Sequence, residues 1–194
     1  DPPWPPNSGG RIRSAHMLAR VARRHAVTLV TLGDPGADLG PLPGLCRAVH
    51  VIPWPRETAG RLYGLRRALR YPPEIATGGP APAITAAVAG AAPDLVHVDG
   101  LDALRFVPAG LPFVLSLNDV PSLLLARSSA LGPQGPRARL LGRLTVRNLL
   151  RYQVGALRSA RATLVVSEHD RVCLARNVPG ATLVVVENGV DVSA

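Results

Sequence analysis

The sequence predicts an α/β fold: a Rossmann-like open parallel sheet with helices on both faces. Three observations predict it. Short aliphatic runs rich in β-branched residues recur along the chain, among them VTLVTLG (27–33), DLVHVDG (94–100) and ATLVVSEHD (162–170). These runs are continuous rather than alternating, the pattern of strands covered on both sides. Segments with helical spacing separate them, and such alternation of element types belongs to parallel α/β architecture. The chain's 194 residues, 47% hydrophobic and only 4% aromatic, suit one domain with an aliphatic core.

The elements follow in order. After Gly9 and Gly10, the residues Ile12, Ala15, Leu18, Ala19 and Ala22 recur at helical spacing, with Arg13, Arg20, Arg23 and Arg24 over much of the opposite face. Residues 27–33 read as a buried strand, and GDPGADLGPLPG (33–44) as a loop. AVHVIPW (48–54) is a second strand, stopped by Pro53 and Pro55. Residues 56–70 form a short basic amphipathic helix, broken by YPPEIATGGPAP (71–82); AITAAVAGAAP (83–93) is a helix of small residues. Strands over 94–100 and 111–119 precede a long helix over 137–160, with Leu140, Leu141, Leu144, Leu149, Leu150, Val154 and Leu157 as its apolar face. Two strand-then-turn units, 162–170 and 181–191, flank a short helix and close the chain.

Charge narrows the function classes. The net charge is +9 and every one of the 22 basic residues is Arg. A GC-rich genome accounts for Arg without Lys. Placement carries more information: between Val120 and Ser167 stand eight Arg and no acidic residue. Such a field concentrates anions, whether nucleic acid, anionic lipid or phosphorylated ligands. Arg139, Arg143, Arg147 and Arg151 repeat every four residues, and like charges at that spacing repel unless something relieves them. An anionic surface would do so, and so would acidic residues folded in from elsewhere. The few aromatic residues do not interleave the basic segments, which argues against base-stacking and against nucleic acid as a partner. No apolar run approaches the roughly 20 residues that span a bilayer. Cys46 and Cys173 lack metal-type spacing; a reduced setting is the simplest reading, with one disulfide left open. No sequence feature calls for a metal or a cofactor.

In an open parallel sheet, ligands bind beyond the carboxyl ends of the strands. Ser8-Gly9-Gly10 opens a helix, so it is either a loop that touches a phosphate or a tight turn with Ser8 as N-cap. It has neither dinucleotide-binding glycine spacing nor the Lys of a P-loop. His97 and Asp99 end a strand on one face, with Val96 and Val98 on the other. They suit proton transfer, or else Asp99 or Asp102 caps the next helix. Asn118-Asp119 before Pro121 is equally good as helix-start chemistry and as a polar site.

PPWPPNSGGRIRSAHMLARVARRHAVTLVTL, PDLVHVDG, PFVLSLND, RYQVGALRSARATLVVSEHD and VVVENGVD stand in the order seen in glycosyltransferase family 4, which the chain resembles from residue 2 to its end. The resemblance implies a retaining bacterial transferase of the GT-B architecture, two Rossmann-like lobes around a cleft. Residues 1–194 would form the single N-terminal, acceptor-side lobe. A first strand upstream of Asp1 and a C-terminal, nucleotide-sugar-binding lobe would then lie outside this chain, and the lobe alone would be inactive. The resemblance places Gly9, Gly10 and Arg13 toward the donor diphosphate. It places Asn118 and Asp119 at the catalytic position and Ser167, Glu168, Asn188 and Gly189 around the substrate, where the strand-end residues His97 and Asp99 are further candidates. Many members carry His where Asn118 stands; Asn can donate a hydrogen bond but cannot shuttle a proton. Gln153 replaces a commonly acidic residue, and Glu187 a usual Pro. The implied partners are a nucleotide-sugar donor, a sugar or lipid-linked acceptor, and an anionic membrane surface at the cytoplasmic face. A GT-B nucleotide-sugar epimerase and a non-catalytic α/β module binding an anionic ligand are the rival readings.

Overall fold

The structure, a computed structural model, describes residues 2–53, 81–125 and 135–189. The basic helix expected over 56–70 lies outside them, as does Asp191. The fold is α/β, with parallel strands flanked by helices. The described strands make two sheets, and the chain divides into two compact units.

The first unit holds α1 (Gly9–Val21), β1 (Thr28–Gly33), α2 (Leu42–Leu45), β2 (Ala48–Pro53) and α3 (Ala81–Gly90). β1 and β2 pair in parallel from Thr28↔Ala48 to Gly33↔Pro53. α3 packs against both strands and buries Ile84; α2, a single turn inside the expected 33–44 loop, packs on β2 and buries Leu42. The 33–44 segment also holds two Asx turns: Gly36 N donates to Asp34 Oδ1 (2.9 Å) and Gly40 N to Asp38 Oδ1 (2.8 Å).

α1 corrects the sequence reading. Arg13 is its buried residue, at 8% exposure, while Ile12 is exposed. Neighbouring positions on a helix are about 100° apart, so a helix that turns Arg13 inward turns Ile12 toward solvent. Hydropathy spacing cannot foresee a buried guanidinium.

The second unit holds β3 (Val96–Asp99), a 3₁₀ helix (Leu101–Phe106, ending at the unit boundary), β4 (Phe113–Ser116), α4 (Pro136–Ser159), β5 (Ala162–Val165), α5 (Glu168–Asn177) and β6 (Leu183–Val185). The four strands pair in sequence order, all parallel. Among the described residues, β1 on the side away from β2 and β3 on the side away from β4 hydrogen-bond to no strand.

Register assigns the faces. Val98, Leu115, Thr163 and Leu183 align on one face; Asp99, Ser116, Leu164 and Val184 on the other. The first face carries much of the core: Val98, Phe113, Leu115 and Val165 are buried. A fully buried Leu such as Leu115 contributes about 2 kcal/mol by removal from water. α5 packs on β5 and β6 and buries Leu174.

α4 follows its expected span, but its inward face differs. Thr145, Leu149, Gln153, Ala156 and Leu157 are buried, whereas Leu140 is 60% exposed. Two polar residues hold the inward stripe because each has its hydrogen bond made. Thr145 Oγ1 donates to the Leu141 carbonyl (2.8 Å), and Gln153 Oε1 accepts from Ser122 N (3.2 Å). Leu140 falls on the side that carries Arg139, Arg143 and Arg147, all exposed.

Candidate functional site

Two places emerge, one in each unit. In the second unit the parallel ladder runs slightly beyond the strands proper. Leu117 N donates to the Leu164 carbonyl (2.9 Å), Val186 N to Val165 (2.8 Å) and Gly100 N to Ser116 (2.9 Å). The chain turns away just after these rungs. Asp99, Asn118, Asp119, Ser167, Glu168, Asn188 and Gly189 therefore gather at the carboxyl edge of one sheet, where open α/β sheets place their ligands. His97 sits two residues back in β3; it and Asp99 share the exposed face, while Val98 is buried.

Asn118 is half-buried, and its Oδ1 is buried with no hydrogen-bond partner among the described residues. Asp119 is exposed. Pro121 opens a helical turn over 121–125, so the Asn-Asp-Val-Pro stretch also starts a helix. Leu123 and Leu124 amides return to the Val120 carbonyl, and the Ser122 amide is taken by Gln153 from α4. Gln153 is 1% exposed, and it braces the loop that carries Asn118. A Gln serves this helix start with a neutral acceptor and so buries no charge. Sequence reasoning noted Gln153 only as a departure from an acidic residue. The signal available was its helical register with Leu149 and Leu157; its partner, 31 residues away, was not legible.

Ser167 and Glu168 are engaged locally. Ser167 is the N-cap of α5: its Oγ accepts from Asp170 N (3.1 Å) and donates to Asp170 Oδ2 (2.7 Å). Glu168 takes both Nε (2.8 Å) and Nη2 (2.5 Å) of Arg171. The Arg171 hydrogen bonds hold the Glu168 carboxyl below its usual range. Both groups are solvent-facing, with Glu168 64% exposed, so the pair orders the end of α5 more than it stabilises it.

In the first unit, α1 begins at Gly9 with Ser8 in the N-cap position. Its backbone is extended there (φ −144°, ψ 155°), yet the Ser8 hydroxyl makes no capping hydrogen bond. No acidic residue occupies the first turn. A Cβ built on Gly9 would meet nothing within 4 Å, so packing does not demand glycine there. Helix-start amides that the Ser8 side chain leaves uncapped suit an anion. The segment leading in is strapped down: Pro2 and Pro3 are buried, and Trp4 lies directly over Gly40.

Among the described residues, no group of three His, Cys, Asp or Glu side chains could hold a metal ion. Both cysteines are free thiols, and no described helix is long and apolar enough to cross a membrane. Arg137, Arg139, Arg143, Arg147, Arg151 and Arg158 of α4 are all exposed.

These features are those of a Rossmann-like α/β fold, with polar residues at the carboxyl edge of the second unit's sheet and an uncapped helix start in the first unit. Residues 8–194 match the family model for Glycosyltransferase Family 4, and the chain belongs to that family. No curated protein and no solved structure gives a match. Membership makes it a glycosyltransferase domain, with a sugar donor and an acceptor as its partners in general terms.

Proposed function

We propose that this chain is the acceptor-side lobe of a retaining hexosyltransferase, which moves a sugar from a nucleotide-sugar to a lipid-linked, polysaccharide or small-molecule acceptor. On this reading the nucleotide is held mainly by the second lobe of the GT-B architecture. The observation that carries the reading is the opening of α1: an uncapped helix start at which glycine is required by no neighbouring atom. A donor diphosphate against Gly9 and Gly10 gives that glycine its reason. Asn118 and Asp119 lie by the transferred sugar, and His97, Asp99, Asn188 and Gly189 line the acceptor side.

The test is Gly9→Ala in the enzyme that carries this lobe. The protein should be as stable as its parent or gain up to about 1 kcal/mol, because Ala suits a helix better than Gly. Its kcat/KM for the nucleotide-sugar should fall tenfold or more, since the methyl occupies space the phosphate needs. Unchanged kcat/KM in a stable variant refutes the placement. Sugar released without acceptor would favour the epimerase reading.

The exposed arginines of α4 support a further part of the reading, peripheral attachment to the cytoplasmic face of a membrane. Each contributes on the order of 1 kcal/mol against an anionic leaflet. Binding to vesicles containing anionic lipid should weaken steeply between low and high salt; salt-independent binding would count against it.

A further inference from the structure

The stretch Asn118-Asp119-Val120-Pro121 leads into the helical turn over 121–125, and Asn or Asp side chains just before a helix ordinarily cap it. Here every amide at the start of the turn can be assigned. Pro121 has no N–H. Ser122 N donates to Gln153 Oε1 (3.2 Å), and Leu123 N (3.0 Å) and Leu124 N (3.1 Å) both donate to the Val120 carbonyl. The amide that the local carbonyl does not take is that of Ser122. Its acceptor comes from α4, 31 residues away, and not from Asn118 or Asp119.

A turn capped from another helix leaves the residues before it without that role. Asn118 Oδ1 has no hydrogen-bond partner among the described residues, and Asp119 is exposed. The same bond holds the backbone. Leu117 N is tied to the Leu164 carbonyl of β5 (2.9 Å), and Ser122 N is tied to Gln153. Asn118 and Asp119 lie between these two anchors, and Val120 next to them is buried. Gln153 is itself fixed in place, buried on α4 in register with Leu149 and Leu157. Removing its acceptor would strand a buried N–H, which costs more than the bond itself contributes.

We propose that Gln153 is a positioning residue for Asn118. By capping the 121–125 turn from α4, it relieves Asn118 of capping and holds its stretch at the carboxyl edge of the sheet. Asn118-Asp119 then serves as a polar site rather than as helix-start chemistry, a choice the sequence leaves open. The consequence for sugar transfer rests on the transferase reading above; the cap does not.

The enzyme that carries this lobe supplies the test. Gln153→Leu keeps most of the side chain's volume and removes the acceptor. Amide hydrogen exchange at Ser122 should quicken by roughly tenfold or more, while the amides of β4 keep their rates. Unchanged exchange at Ser122, or equal acceleration throughout β4, overturns the proposal. In kinetics, Gln153→Leu should lower kcat/KM for transfer roughly five- to thirtyfold, and by less than about twofold in an Asn118→Ala background. Losses that multiply would show that Gln153 does not act through Asn118. Gln153→Glu keeps the shape and an acceptor oxygen, so Ser122 should stay protected and transfer should remain within about threefold of the parent. A Gln153→Glu enzyme as impaired in both as Gln153→Leu overturns the proposal. Full activity in Asn118→Ala would refute the placement of Asn118 by the sugar, and the positioning role with it, while exchange at Ser122 still decides the cap.

Discussion

The lead-in to α1 is held by a contact that a single methyl group should break. Gly40 has φ +49°, and a Cβ built on it would fall 2.3 Å from Trp4 Cε2 and Nε1 and 2.7 Å from Cδ2. The indole is a rigid plane, so Gly40→Ala cannot be absorbed by bending the end of a flexible chain. Two terms add. A non-glycine residue in left-handed backbone costs about 1–2 kcal/mol. Forcing Trp4 from its seat costs a further 1–3 kcal/mol or so, as other overpacked sites do. The stiffer unfolded chain gives back about 0.4–1 kcal/mol. The net loss is then about 1–5 kcal/mol, or roughly 2–20 °C in melting temperature for a chain of this size. Urea titration followed by circular dichroism measures it, with m compared to confirm that the unfolding unit is unchanged. A Trp4→Ala background separates the terms, since Gly40→Ala there should cost only the backbone part. A Gly40→Ala protein within about 0.5 kcal/mol of its parent would refute the claim that Trp4 and Gly40 are in obligatory contact. The anchoring of the Gly9 loop argued from that contact would fall with it.

Other expectations follow from burial. Thr163→Val keeps the shape of a fully buried side chain while removing a hydroxyl that bonds to nothing, so stability should rise by about 1 kcal/mol in urea titration; a loss would mean the hydroxyl has a partner. Cys46 is buried and burial pushes its thiol upward, which keeps it protonated near neutral pH. A thiol reagent on the folded protein should therefore modify the more exposed Cys173 quickly and Cys46 only as fast as the fold opens; equal rates would contradict the packing around Leu42 and Cys46.

β1, β5 and β6 were legible as nearly continuous aliphatic runs, the mark of strands covered on both faces, and β3 by its alternation of Val with His97 and Asp99. Parallel pairing was legible too, since helices connect β4 to β5 and β5 to β6 as such pairing requires, whereas the 3₁₀ helix between β3 and β4 was not read from the sequence. What sequence could not supply is polarity pointing inward. Arg13, Thr145 and Gln153 are buried, and a pattern that reads polar as exposed turns each to the wrong side. The N-cap of α5 is an intermediate case. Ser167 and Asp170 carry the serine–acid spacing of a capping box, so the signal was present in sequence, although Ser167 was read for its family position instead.

The site divides along the same line. That Asn118 and Asp119 end a strand is a local fact, written in VLSLNDVP, and the turn after β4 confirms it. How Asn118 is held is a tertiary fact. The Ser122 amide is taken by a glutamine from another helix, and the carboxamide oxygen of Asn118 is buried. An imidazole at this position could orient itself through either of two ring nitrogens and carry a proton. A carboxamide has one acceptor and one donor end and can only be oriented. On the proposed reading, Asn118 trades proton chemistry for an oriented hydrogen bond. An Asn118→His variant tests the trade. If Asn118 acts only as an oriented donor, the variant should lose transfer activity and gain no new pH dependence. If Asn118→His instead raised transfer and brought a bell-shaped pH profile, proton transfer at this position would be the function the fold still accommodates.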